Sequence, residues 1–200
     1  NKIPDKIIMK TLTSGALENN KGVHLKNRKI KLNFLTTKDQ KAIDISKEEK
    51  IKNYALSFTN SHHDIIKFNK YINFENKIFK LETYNAIKNL HNIVVTGNTF
   101  LIDRGDLSKE ISIEKIPKYQ RKIISKIKKF KNKKVFVATN LLESMVKNIY
   151  PTRAEANDIF NCLESGADGL VLAAETAIGD YPEESVLFLK KIILEYKKYK

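Results

Sequence analysis

Short apolar runs alternate with longer amphipathic segments through most of the chain. Five runs read as buried strands: Tyr54–Phe58, Lys77–Leu81, Thr99–Asp103, Lys134–Ala138 and Gly169–Ala173. Most are apolar at consecutive positions, as expected of parallel strands covered on both faces. The segments between them carry helix-start signals. Thr37 with Gln40 and Thr152 with Glu155 fit the capping-box pattern, and Ser61 with Asp64 is a shorter-armed variant. Pro117 and Pro182 sit where a first helical turn tolerates proline. Strand, helix, strand, helix implies right-handed crossovers and a parallel sheet, so the expected class is α/β.

Residues 1–33 break this rhythm. Lys6–Leu12 and Gly22–Leu25 are short extended runs interrupted by Gly15, Asn19, Asn20 and Asn27, a β-rich segment outside the repeating unit. The chain therefore divides into residues 1–33 and residues 34–200, the second part holding the alternating pattern. Its 200 residues suffice for one domain with a core, and 42% hydrophobic against 30% charged residues is a globular balance. No apolar window approaches the length of a membrane span. The single Cys162 excludes an internal disulfide and a multi-cysteine metal site, and reads as small core filling. A net charge of +14 invites a nucleic-acid reading, but only four of the 37 basic residues are arginine. Phosphate and base recognition favour the guanidinium fork. The lysine excess accompanies 25 Ile and 19 Asn, which fits a bias toward AT-rich codons. In the densest basic stretch, Lys118–Lys134, the residues Ile116, Ile123, Ile124 and Ile127 fall at helical spacing, giving an amphipathic helix with a solvated lysine face.

In an α/β barrel, chemistry is built at the carboxyl ends of the strands. Here those ends read Ser57-Phe58, Lys80-Leu81-Glu82, Asp103-Arg104-Gly105-Asp106, Ala138-Thr139-Asn140 and Ala174-Glu175-Thr176. Lys80 and Glu82 are two apart, so in a strand they point to one side while Phe79 and Leu81 point to the other. Glu82 with Asp106 offers two carboxylates from neighbouring strands, an arrangement Mg²⁺ favours because it leaves positions for water and substrate. Gly105 would let the backbone turn sharply and free amide N–H groups for an anion. Thr139 adds a hydroxyl at the same rim. Each residue also has a plain structural role open to it: an ion pair for Lys80 and Glu82, a cap for Asp106, a loop hydroxyl for Thr139. His62 and His63 are adjacent and cannot share a helix face, which argues against a metal role.

Six ordered motifs carry a resemblance. Asp103-Arg104-Gly105-Asp106-Leu107-Ser108 with Glu110-Ile111 resembles the A-R-G-D-L-G-x-E-I of pyruvate kinases. Ala138–Met145 is similar to their A-T-Q-M-L-E-S-M, Pro151–Glu155 matches P-T-R-A-E, and Glu175-Thr176 with Gly179–Pro182 resembles S-G-E-T-A-x-G-x-Y-P. Lys80-Leu81-Glu82 resembles K-I-E, and Lys21–Leu25 resembles the K-G-V-N-L near the end of the mobile cap domain. The resemblance implies a partial TIM (β/α)8-type barrel, its last five strands preceded by the tail of a β-rich cap domain. It implies transfer of the phosphoryl group of phosphoenolpyruvate to ADP, giving pyruvate and ATP in glycolysis. By matching position, Lys80 would neutralise the phosphoryl group in flight, and Glu82 and Asp106 would hold Mg²⁺ or Mn²⁺. The amides of Gly105 and Asp106 would receive the substrate carboxylate. Thr139 would stand near the face where the enolate is protonated, a water relay being an easier acid than a hydroxyl.

The departures are local. The family's N-x-E-G is here Thr83-Tyr84-Asn85-Ala86, its S-F-x-R is Ser57-Phe58-Thr59-Asn60, and the Ala of A-R-G-D is Asp103, an extra carboxylate near the expected cation. The resemblance further implies an activating K⁺ whose ligands lie outside this chain, a cytoplasmic homo-oligomer, by family usage a tetramer, and no nucleic-acid or membrane partner. A fragment of a longer polypeptide is expected, inactive alone. Two other readings stay open: a catalytically inactive remnant serving as a binding domain, favoured by the altered Thr83–Ala86 loop, and a metal-dependent aldolase or lyase acting on pyruvate-like enolates.

Overall fold

A computed structural model describes residues 2–3, 6–16, 34–72 and 76–200. It divides into two compact units, Asn1–Ile30 and Lys31–Lys200. In the first, β1 (Lys2–Ile3) pairs antiparallel with β2 (Lys6–Ile7), Lys2 opposite Ile7. The expected run Gly22–Leu25 and the motif Lys21–Leu25 lie outside the described residues.

The second unit opens with α1 (Thr37–Glu48), followed by β3 (Asn53–Leu56), α2 (His62–Tyr71), β4 (Asn76–Leu81), α3 (Tyr84–Lys88) and α4 (Leu90–Thr96). Next come β5 (Thr99–Asp103), α5 (Arg104–Glu110), α6 (Ile116–Lys128), β6 (Lys134–Ala138) and α7 (Arg153–Glu164). The unit ends with β7 (Gly169–Val171), α8 (Ala174–Ala177) and α9 (Pro182–Tyr199). The strands form one sheet in the order β3-β4-β5-β6-β7, every adjacent pair parallel. Sequential parallel neighbours joined by helical crossovers make an α/β unit of barrel type, as the alternating pattern predicts.

Register explains the packing. Phe79 lies beside Phe100 and Phe100 beside Val135, while Leu81 lies beside Ile102 and Ile102 beside Val137. These side chains are buried together with Ile65 and Phe68 of α2, Ile93 and Val94 of α4, Ile123, Ile124 and Ile127 of α6, and Ile159 and Cys162 of α7. Each wholly buried isoleucine stabilises the fold by about 1.5–3 kcal/mol. The opposite face carries Ile78, Lys80, Leu101 and Phe136, all only half-buried. The expectation of two equally covered faces therefore holds for one face alone, the one under the helices. On the other, Phe136 lies over Gly169, where an added Cβ would stand 2.5 Å from the ring.

Local differences from the sequence expectation have clear causes. The α1 capping box is Thr36 with Asp39 rather than Thr37 with Gln40: Thr36 N–H donates to Asp39 Oδ2 at 2.8 Å and Asp39 N–H to Thr36 Oγ1 at 3.2 Å. The boxes at Ser61–Asp64 and Thr152–Glu155 form as read. β3 stops at Leu56 because Phe58 turns into the left-handed region at φ 51°, and β7 stops at Val171 because Glu175 takes the Ala173 N–H. Among the described residues no helix is long and apolar enough to cross a membrane.

Candidate active site at the carboxyl edge of the sheet

β4 delivers Lys80 and, one residue past its end, Glu82. Glu82 is wholly buried and its two oxygens serve different partners. Oε1 accepts the Phe58 N–H at 2.5 Å, so the left-handed turn after β3 aims the carboxylate. Oε2 makes no hydrogen bond of regular geometry; the Lys80 ammonium stands 2.8 Å from it as an ion pair. Lys80 Nζ also lies 2.9 Å from Asp103 Oδ2 at the end of β5. Burial pushes the Glu82 carboxyl above the ordinary glutamate range, outweighing the opposing pull of Lys80 and the Phe58 amide. Burial also pulls the Lys80 ammonium down, but its close pairing with the Glu82 and Asp103 carboxylates together outweighs that and leaves it above the ordinary lysine value. Lys80 is thus a permanent cation near neutrality.

Asp103 is the N-cap of α5, its Oδ1 3.4 Å from the Asp106 N–H and 3.4 Å from the Thr139 hydroxyl. Asp106, in the first turn of α5, accepts from Lys109 at 2.5 Å. Gly105 N–H donates to Thr139 Oγ1 at 2.8 Å. The sharp glycine turn expected here does not occur: α5 begins directly at Arg104, and Gly105 is not among the residues of positive φ. Its distinction is proximity, since an added Cβ would sit 3.5 Å from both Asp103 Oδ1 and Thr139 Oγ1.

The strain lies instead in the loop after β6, where Thr139 and Asn140 have φ of 70° and 53°. A β-branched residue there is an outlier. Arg104 holds the loop: Nε and Nη2 donate to the Thr139 carbonyl at 3.0 and 2.6 Å, and Nη2 to the Asn140 carbonyl at 3.0 Å. Its Nη1 pairs with Asp158 Oδ2 at 2.5 Å.

The five residues singled out in the sequence, Lys80, Glu82, Gly105, Asp106 and Thr139, therefore meet at one end of the sheet. Ligand oxygens of Glu82, Asp103 and Asp106 all lie within 4.8 Å of one another. Oxygens on opposite sides of a Mg²⁺ ion stand about 4.2 Å apart, so small rotations bring this set to coordinating distance. A hard oxygen donor set with a buried carboxylate oxygen lacking a regular hydrogen bond fits a divalent cation. One contributor was not read from the sequence, and one was read only as an extra carboxylate near the expected cation. Asp103 is that extra carboxylate, and its place three residues before Asp106 is also an N-cap signal. Arg104 gave no signal, since its partners are carbonyls.

The altered positions also meet. Thr83 Oγ1 donates to Asn60 Oδ1 at 2.6 Å and caps α3 by accepting the Ala86 N–H at 3.0 Å. The Tyr84 N–H donates to Glu110 Oε2 at 2.7 Å.

A parallel α/β sheet with a cation–carboxylate cluster at its carboxyl edge defines the class: a barrel-type α/β domain. The family model of the pyruvate kinase barrel domain matches residues 1–186. Over 188 residues the chain is 37% identical to a pyruvate kinase of Thermotoga maritima, covering 92% of this chain and 40% of that protein. It is 35% identical to one from Agrobacterium vitis (98% and 40% covered) and 34% identical to one from Bacillus licheniformis (96% and 34% covered). The chain belongs to the pyruvate kinase family. It spans about two fifths of the length of these curated relatives.

Proposed function

We propose that this chain carries the cation- and phosphoryl-handling part of a phosphotransferase that moves the phosphoryl group of phosphoenolpyruvate to ADP, giving pyruvate and ATP. The observation that carries this reading is the junction of Lys80, Glu82 and Asp106 at the carboxyl edge of adjacent strands, in a family whose named members are pyruvate kinases. Phosphoryl transfer asks mainly for positioning and for cations around spreading negative charge. Lys80, a fixed ammonium, neutralises the equatorial phosphoryl oxygens and acts as an electrostatic partner rather than a proton donor. Glu82 and Asp106 hold a divalent cation of the Mg²⁺ or Mn²⁺ kind. Bound there, such a cation would supply charge neutralisation to the anionic substrate. The Gly105 and Asp106 amides, here bonded to Thr139 Oγ1 and Asp103 Oδ1, receive the substrate carboxylate by exchanging those acceptors for it. Thr139 orients the water that protonates the enolate.

The test uses the complete polypeptide. Lys80→Met is expected to lower pyruvate formation from phosphoenolpyruvate and ADP by at least about a thousandfold, the scale of losing a positioned charge at a transferring phosphoryl group, while phosphoenolpyruvate binding largely survives. Turnover retained in that variant overturns the role of Lys80. A second reading, an inactive remnant that binds a partner, draws on the Thr83–Asn60 pair standing where the family motif has other residues. Absence of turnover in the wild-type complete polypeptide favours it.

A further inference from the structure

Asp103 lies where the family motif has alanine, and it touches Lys80, Asp106 and Thr139. Its Oδ2 stands 2.9 Å from Lys80 Nζ, and its Oδ1 stands 3.4 Å from both the Asp106 N–H and the Thr139 hydroxyl. It shares with Glu82 and Asp106 the only grouping of three potential metal-binding side chains among the described residues. Glu82 Oε2, buried and contacted by the Lys80 ammonium at 2.8 Å, meets the same lysine as Asp103 Oδ2.

We infer that Asp103 is a third carboxylate of the divalent-cation site, binding the cation in the substrate-free protein so that the cation enters before the anionic substrate. The inference rests on the function proposed above. Charge carries it. Three carboxylates face two ammoniums, Lys80 and the exposed Lys109, while the nearby Arg104 is committed to Asp158 and to carbonyls. Asp103 Oδ1 also lies beside the very amide assigned to the substrate carboxylate. An arriving carboxylate meets that negative charge at contact distance unless a cation has neutralised it first. With a divalent cation on Glu82, Asp103 and Asp106, Lys80 is released from its two carboxylates toward the phosphoryl group.

The experiment titrates Mn²⁺ alone into the complete substrate-free polypeptide and reads free Mn²⁺ by electron paramagnetic resonance. Asp103→Asn keeps a cap at the start of α5 and removes only the charge. It is expected to weaken Mn²⁺ binding at least about tenfold, the effect of one unit charge on a divalent ion at this range, with an unchanged melting profile. Asp103→Ser, which also caps the helix, repeats the test if the asparagine variant does not fold. Glu82→Gln is the comparison. Mn²⁺ affinity unchanged or tighter in the Asp103 variants but lost in Glu82→Gln overturns the third-ligand role and leaves the proposed function standing. Wild-type protein that binds no Mn²⁺ overturns both.

Discussion

Arg104→Lys should loosen the loop that carries Thr139, although charge is conserved. The guanidinium bonds the Thr139 and Asn140 carbonyls three times and Asp158 once. A lysine ammonium reaching Asp158 cannot also fork onto both carbonyls. Hydrogen bonds from a charged donor contribute about 1.5–3 kcal/mol each, and the exposed Asn140 carbonyl regains water, so the expected loss is about 2–3 kcal/mol. That matters locally, because left-handed backbone at a non-glycine residue itself costs about 1–3 kcal/mol and persists only while its surroundings enforce it. Once Thr139 relaxes, its hydroxyl leaves the Gly105 N–H, now 2.8 Å away. Two measurements check this: the urea midpoint at constant m-value, and hydrogen exchange at the Gly105 amide. A loss below about 0.5 kcal/mol, within the range of an ordinary surface change, together with an unchanged Gly105 exchange rate, would refute the reasoning.

Three further predictions come from the titratable groups. Glu82 has its folded-state pKa raised by burial, so its ionised form opposes folding at pH above that raised value, and the penalty fades as pH falls through it toward the unfolded value. Glu82→Gln should therefore melt higher than wild type near neutrality, the gap closing in acid; a gap that widens in acid contradicts this. Glu175→Ala should cost about 2–5 kcal/mol, because the buried Leu142 N–H and the half-buried Ala173 N–H lose their acceptor, with Glu175→Gln milder; urea denaturation showing less than about 1 kcal/mol for the alanine variant would contradict that hydrogen-bond assignment. Cys162 is buried and its thiol is pushed up to about 11, so a disulfide reagent at pH 8 should label it only after unfolding; rapid labelling of the native protein contradicts its core position.

The fold was legible where burial is periodic and where capping chemistry is local. Ile123, Ile124 and Ile127 showed their buried face through spacing alone, and Pro117, Ser61 and Thr152 marked helix starts because each acts within one turn. The α1 box slipped by one residue since two adjacent threonines, Thr36 and Thr37, offer the same hydroxyl, and only the better acid at N3 decides between them. Within the site, Lys80 and Glu82 were legible through the two-residue strand period. What could not be read was long-range. Arg104 acts on carbonyls some 35 positions away, and no residue type marks a carbonyl acceptor. Asp103 became intelligible only once β4 and β5 lay side by side, with Lys80 beside Leu101 and therefore within reach of the strand end.

The motifs that make this chain recognisable divide by what their carboxylates hold. Glu155 accepts from the backbone and hydroxyl of both Ser144 and Thr152, tying the loop after β6 to the start of α7. Glu175 joins that loop to the end of β7 through two N–H groups, and Gly179 stays small because a Cβ would press 2.4 Å from the Glu175 carbonyl. Asp168 accepts the Val135 N–H and the Lys128 ammonium. Glu155 and Glu175 are occupied by the frame, and a cation could reach them only by breaking the loops. Glu82, Asp103 and Asp106 differ in lying together: their oxygens come within 4.8 Å of one another, and Glu82 and Asp103 share one ammonium, that of Lys80. An ammonium on a flexible stem is a partner that can move aside. Among the described residues this is where three carboxylates converge on a partner able to move aside, and a divalent cation would take the place of that ammonium with charge of the same sign.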